Sequence, residues 1–352
     1  MRSFVYDQPS TRVIFGAGTL ERLAAEVAGL GAQRALVLST PEQKADADEA
    51  ARRLGAMSAG VHAHAVMHVP IETARQAREE ARRLNADCYV AIGGGSTIGL
   101  GKAAALETGL PIVAVPTTYA GSEMTPIYGI TEGGVKKTGK DRKVLPKVVI
   151  YDVNLTLTLP PKIAGPSGMN AMAHMVEGLY AQNRNPILSL MAVEGIRSLT
   201  RSLPIVVKDP ANVEARFDAL YGAWLGGTVL GGVGMAIHHK LCHTLGGTFN
   251  LPHAEVHTVI LPYVAAYNQD AAPEAMRMAA DALGVSNAAQ GIFDLSVTIG
   301  AAVALKDIGM PLDGLDKAAE LATTHPDYNP RPVTYDSVRK LLEDAYYGRR
   351  PE

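Results

Sequence analysis

The run AIGGGSTIGLGKA, residues 91–103, decides the fold. Its apolar start ends on Gly93, Gly94, Gly95 and Ser96, and from Thr97 onward the residues can open a helix. A strand that turns on glycine straight into a helix is the repeating piece of a parallel sheet, whose crossovers are helical. The same alternation extends to both sides. RVIF (12–15), RALVLST (34–40), PIVAVPTT (111–118) and KVVIYD (147–152) are short β-rich runs, and LERLAAEVAGL (20–30) and TARQAREEARRLN (73–85) carry apolar residues at helical period. Strands alternating with helices imply an α/β domain covered on both faces, of the Rossmann-like kind that holds a dinucleotide.

Beyond Asp152 the pattern changes. LTLTLPPKIAGPSG (155–168) reads as a turn-rich joint, after which long helical segments follow with few credible strands. A chain of 352 residues exceeds the usual ceiling for one hydrophobic core, so two domains are expected. We place an α/β domain over 1–155 and an all-helical catalytic domain over 156–352. In that layout the cleft between domains is the expected ligand site.

Composition narrows the partners. Charged residues are 19% of the chain and the formal net charge is −2, which gives no electrostatic reason to expect nucleic acid. The two cysteines, Cys88 and Cys242, stand apart without a paired spacing, as in a reducing cytoplasmic setting. The first residues lack the apolar centre of a signal peptide, and no apolar run is long enough for a bilayer, so no membrane role is expected.

Two glycine- and hydroxyl-rich elements carry the case for a nucleotide. In the first, Gly94, Gly95 and Ser96 would let backbone amides approach a pyrophosphate at a helix N-terminus. Its spacing is neither a Walker A loop nor GxGxxG, and a tight strand-to-helix turn would use glycine equally well. The second is VPTTYAGSEMTP (115–126), where Thr117, Thr118, Ser122 and Thr125 supply hydroxyls after another strand end. Hydroxyls also serve as caps. Both elements at carboxyl ends of parallel strands favour a dinucleotide.

Five of the ten histidines, His238, His239, His243, His253 and His257, fall within GMAIHHKLCHTLGGTFNLPHAEVH (234–257). Imidazole at that density suits metal binding, proton transfer or anion binding more than packing. Asn170 and His174 in GPSGMNAMAHMVEG (165–178) are four residues apart and would share a helical face. His62, His64 and His68 lie outside these motifs and read as packing residues.

FGAG (15–18), GGGSTIGLGK (93–102), PTTYAGSEMTP (116–126), GMNAMAHMVEG (168–178) and the histidine block through Pro262 occur in the order seen in the iron-containing alcohol dehydrogenase superfamily, which this chain resembles over nearly its whole length. The resemblance implies that superfamily's fold, shared with dehydroquinate synthase. It also implies a nicotinamide cofactor and a homodimer. The motif forms are most similar to the branch that reduces maleylacetate to β-ketoadipate in aromatic-compound breakdown, by conjugate hydride addition through an enolate. A metal-dependent alcohol dehydrogenase using iron or zinc is the alternative from the same superfamily.

By position the superfamily's metal ligands fall on Asn170, His174, His239 and His253. A neutral amide where others carry Asp weakens the site for a cation, so the expectation is catalysis that needs no metal; if one binds, His174, His239 and His253 hold it. His243, four residues after His239, matches the position beside the nicotinamide and is expected as general acid or enolate donor. A dicarboxylate substrate asks for cations and hydrogen bonds, for which Lys240 and Arg331 are candidate cations, while Tyr128 and Tyr119 could hydrogen-bond the substrate or simply pack. Thr40 stands where NAD-specific members carry an acid. That favours NADH only modestly, with NADPH accepted as well. Lys136 matches a lysine near the nicotinamide ribose, with Lys137 beside it, and Gly99 replaces a common Asp.

Overall fold

The computed structural model describes residues 4–7, 10–133, 135–324 and 328–352, without the side chains of Val135 and Lys136. The chain divides into two compact units, one ending at Leu159 and the other made of Pro160–Glu352 together with residues 4–7.

In the first unit the β-rich runs pair as one sheet. Its strands are β1 (Arg12–Gly16), β2 (Ala35–Leu38), β3 (Ser58–His62), β4 (Cys88–Gly93), β5 (Ile112–Pro116) and, after a hairpin of β6 (Ile127–Glu132) and β7 (Val135–Lys140), β8 (Val148–Asp152). The sheet is parallel throughout, in the order β1-β8-β5-β4-β2-β3. Alternation decides which residues go where. Val37, Val90, Ile92 and Val113 pack into one apolar layer, and Leu36, Leu38, Tyr89, Ala91 and Ile112 into the other. Helices α1 (Leu23–Gly29), α2 (Lys44–Leu54), α3 (Ile71–Arg83) and α4 (Gly95–Thr108) cover the faces. The consequence for function is positional: Thr40, Gly93 and Thr117 all leave the carboxyl ends of the adjacent strands β2, β4 and β5.

Two elements lie outside the sequence expectation, β3 and the β6–β7 hairpin. Both are solvated or glycine-broken, so neither carries a clean apolar alternation. The hairpin is tied down at Thr131, whose amide donates to Val69 O at 3.0 Å and whose hydroxyl donates to His68 O at 2.8 Å.

The second unit is helical: α5 (Pro161–Leu179), α6 (Pro186–Lys208), α7 (Val213–Gly232), α8 (Ile237–Phe249), α9 (His253–Asn268), α10 (Pro273–Leu283), α11 (Ala288–Thr298), α12 (Leu315–Thr323) and α13 (Tyr335–Tyr347). The joint expected over 155–168 is shorter than that. It ends at Pro160, and α5 begins on Pro161 and runs through GPSG. Proline at the first helical position costs nothing there, and burial of 164–179 outweighs the backbone bond that Pro166 removes. Among the described residues no single helix is long and apolar enough to cross a membrane.

Candidate active site

At the strand ends of the first unit, side chains crowd the glycine turn. Gly93 has φ +149°, and a Cβ there would stand 2.5 Å from Thr97 Oγ1 and 2.8 Å from Gln43 Oε1. At Gly94 a Cβ would meet Thr118 Cγ2 at 2.9 Å. The α4 N-terminus that follows is capped by no side chain, so its amides face outward at the end of the helix dipole. Gln43, which sequence reasoning missed, donates from Nε2 to Thr117 Oγ1 at 2.8 Å and from its backbone N–H to Thr40 O at 3.2 Å. One side chain thus links the ends of β2, β4 and β5. Gly95 is exposed, and Gly94, Ser96, Thr118 and Thr40 are partly so, as a ligand-facing rim requires.

The hydroxyls of the following loop divide. Thr118 stands at the rim and Thr117 is buried with its hydroxyl accepting from Gln43, whereas Thr125 is buried and its hydroxyl, like that of Ser122, is bonded to Lys102 Nζ, at 3.0 and 3.2 Å. These two were expected on the cofactor, and here they face an internal lysine instead. Lys136 lies on β7 opposite Thr131, with its side chain outside the described atoms, and Lys137 pairs with Glu132 at 2.9 Å. Tyr128 packs across the hairpin onto Gly139, whose hypothetical Cβ would lie 2.4 Å from the phenol oxygen. That gives it a packing role within the first unit. Gly99 leaves a slot filled by Val69, whose Cγ2 would be 2.8 Å from a Cβ.

In the helical unit the histidines gather from three helices. Asn170, His174 and Glu177 lie along one face of α5, spaced by four and three residues. That helix is held close to its neighbours by glycine: a Cβ at Gly178 would stand 2.3 Å from Val229 and one at Gly168 2.4 Å from Leu203. The α8 block brings His238, His239 and His243, and α9 brings His253 and His257. His174 and His239 have ring centroids 5.2 Å apart. His257 touches the rings of His174, His239, His253 and His238, at 6.2, 4.9, 4.5 and 4.8 Å.

Glu177, absent from the sequence reading, organises the α8 histidines. One carboxylate oxygen accepts from His238 N at 2.8 Å and the other accepts from His239 Nδ1. Holding Nδ1–H leaves His239 Nε2 with its lone pair, and that atom is buried without a partner. Asn170 Oδ1 and His174 Nδ1 are also buried and unpartnered. Burial, reinforced by neighbouring imidazoles, holds His174, His238 and His257 well below the usual histidine range, so all three are neutral at pH 7.

The cluster grades from interior to surface. His238 and His257 are fully buried and bonded to each other, Nε2 to Nδ1, at 2.9 Å, with Cys242 Sγ 3.5 Å from His238 Nε2. Among the described residues these three form the one group of His, Cys, Asp or Glu side chains whose ligand atoms all lie within 4.8 Å. They bond one another, while His238 Nδ1 and His257 Nε2 stay buried without a partner. His243 and His253 are exposed and stack at 6.3 Å and 15°. Lys240 is half-buried on α8, while Arg331 is exposed, lies 4.3 Å over the Tyr267 ring and donates to Tyr267 O at 3.2 Å.

The imidazoles of His174, His239 and His253 and the Asn170 amide oxygen are donor types that suit a borderline cation such as zinc, but they lack the negative ligand that strengthens such sites, and the three histidines are not a group whose ligand atoms lie within 4.8 Å of one another. The same set, with an exposed pair at its edge, can donate hydrogen bonds to an oxyanion and pass a proton.

Two family models divide the chain between them: the iron-containing alcohol dehydrogenase model over residues 10–153 and the C-terminal model of the same family over 165–346. A maleylacetate reductase of Burkholderia cepacia is 58% identical over 351 residues, spanning 100% of both chains. The crystal structure of maleylacetate reductase from Agrobacterium tumefaciens superposes with a TM-score of 0.97 at 52% identity, with both chains fully covered. A sulfoacetaldehyde reductase from Bifidobacterium kashiwanohense, solved in complex with NAD+, matches with a TM-score of 0.90 at 25% identity over 98% of this chain and 99% of the other.

Proposed function

From these matches we infer that this chain, which belongs to the iron-containing alcohol dehydrogenase family, is a maleylacetate reductase. The observation that carries this reading is the full-length identity to reductases of that name. Its reaction is hydride transfer from a reduced nicotinamide to the carbon β to a conjugated ketone. The electron pair of the carbon–carbon double bond moves to give an enolate, a proton adds at the α carbon, and NAD+ and β-ketoadipate leave.

The first unit would bind the dinucleotide, with Gly94, Gly95 and Ser96 at the pyrophosphate and Thr117 and Thr118 beside it. NADH is the proposed donor, and Thr40 presents no acid of its own against the extra phosphate of NADPH. In the helical unit, His243 would protonate the carbon or steady the enolate oxygen, with His174 and His253 as further donors around it and His239 Nε2, which keeps its lone pair, as an acceptor. Asn170 adds no repulsion toward a dianionic substrate and can donate through its amide NH₂. A divalent cation, when bound, would be held by His174, His239 and His253 and would polarise the ketone oxygen. The proposed turnover does not depend on it. Lys240 and Arg331 are the proposed carboxylate contacts, Arg331 after release from Tyr267. We further propose a cytoplasmic homodimer acting in aromatic-compound catabolism.

The test is NADH oxidation with freshly prepared maleylacetate after exhaustive chelation, with metal content measured in the same sample. Full activity without metal is expected. Activity that vanishes on chelation and returns with iron or zinc would retain the substrate and overturn the metal-free site, and no activity in either state would overturn the function.

A further inference from the structure

Lys102 closes the motif GGGSTIGLGK, and nothing in the cofactor reading uses it. Its side chain is fully buried on α4. Five oxygens surround Nζ: Ser122 O at 2.5 Å, Ser122 Oγ at 3.2 Å, Thr125 O at 2.8 Å, Thr125 Oγ1 at 3.0 Å and Ile127 O at 2.8 Å. All belong to one segment, the loop that leaves β5 and enters the hairpin. An ammonium stripped of water and met by dipoles rather than a carboxylate is costly unless those dipoles are held in place around it. Nearby Glu123, also buried, accepts from the Tyr151 hydroxyl at 2.8 Å.

The same loop touches the turn between β4 and α4 at its other end. Thr117 N donates to Gly93 O at 3.1 Å, and Thr118 packs on Gly94. Lys102 follows Gly95 by seven residues, two turns down the same face of the helix. The continuous β4–α4 segment therefore holds the loop twice, at the glycine turn and at the ammonium, with Thr117 and Thr118 at the first of these points. We propose that Lys102 is a positioning residue for the dinucleotide: by anchoring 122–127 to α4 it sets Thr117 and Thr118 against the helix N-terminus, and so governs cofactor affinity rather than the chemical step. This rests on the dinucleotide reading of those loops.

The experiment compares wild type with Lys102→Met, Thr125→Val and Thr125→Ser. NADH fluorescence titration gives Kd, steady-state kinetics give KM and kcat, and hydrogen exchange reports residues 117–131 without any ligand. Lys102→Met is expected to raise Kd and KM for NADH about tenfold or more, with kcat at saturating NADH within about threefold. Thr125→Val shifts the same way by less, and Thr125→Ser, which keeps the hydroxyl, stays near wild type. Should Lys102→Met fail to fold, the Thr125 pair carries the comparison. Exchange protection is expected to fall locally over 117–131. Unchanged NADH affinity in the folded variants would overturn the positioning role and leave the cofactor reading standing. A wild type that binds no NADH would overturn both, even if exchange showed the loop loosened.

Discussion

One oxygen of Asn170 sets how much charge the helical unit can hold. It is buried, unpartnered and neutral, beside imidazoles that burial keeps neutral as well. Asn170→Asp would add an anion there, so zinc affinity by calorimetry is expected to rise at least about tenfold while maleylacetate turnover falls. Equal affinity and kinetics would remove Asn170 from the argument. His243 is exposed and stacked on His253, where a group that meets substrate can stand. His243→Ala is expected to lower kcat about 10²-fold, and near-normal kcat would exclude it as the acid. Both residues were legible because motif position and i,i+4 spacing are local. Glu177 was not, since an acid on an apolar helix declares nothing until α8 brings His238 and His239 to it.

Among elements, the turn between β4 and α4 depends most on one residue type. Gly93 combines φ +149° with three atoms within 3 Å of any Cβ, so Gly93→Ala strains the backbone and displaces Thr97 and Gln43. A loss of about 1–3 kcal/mol in stability is expected, together with weaker NADH binding. Thermal melts and NADH titration check the two parts; unchanged affinity would show that the turn is only structural. Apolar runs that end in glycine or a small polar residue, with helical-period stretches between them, are why β1, β2, β4, β5 and β8 and the helices α1, α3 and α4 could be read in advance. The hairpin could not. Its strands are half-solvated and lysine-rich, and Thr131 secures them through contacts to His68 and Val69, more than sixty residues away in sequence.

For the molecule entire, pH is the lever that reaches the buried histidines. His174, His238 and His257 have folded-state values well below those of the unfolded chain. On lowering pH through about 6.5 the unfolded chain takes up protons that the folded chain refuses, so stability is full above that value and is lost below it. Each imidazole that stays neutral contributes a slope of about 1.4 kcal/mol per pH unit. Calorimetry at pH 7.5 and 5.5 should therefore show a marked fall in the melting temperature of the helical unit, reduced in His257→Asn. A melting temperature flat across that range would contradict the burial argument. The sequence by itself determined the alternation of strands and helices, the glycine cradle, the helical second half and the histidine motifs, because each depends on neighbours within a turn or two. Only the tertiary structure decided which polar atoms are spent on one another: Ser122 and Thr125 on Lys102, Glu177 on the α8 histidines, and His257 among four other imidazoles. Those partners come from distant segments, and which hydrogen bonds a buried polar group makes is settled by what the packed core places beside it.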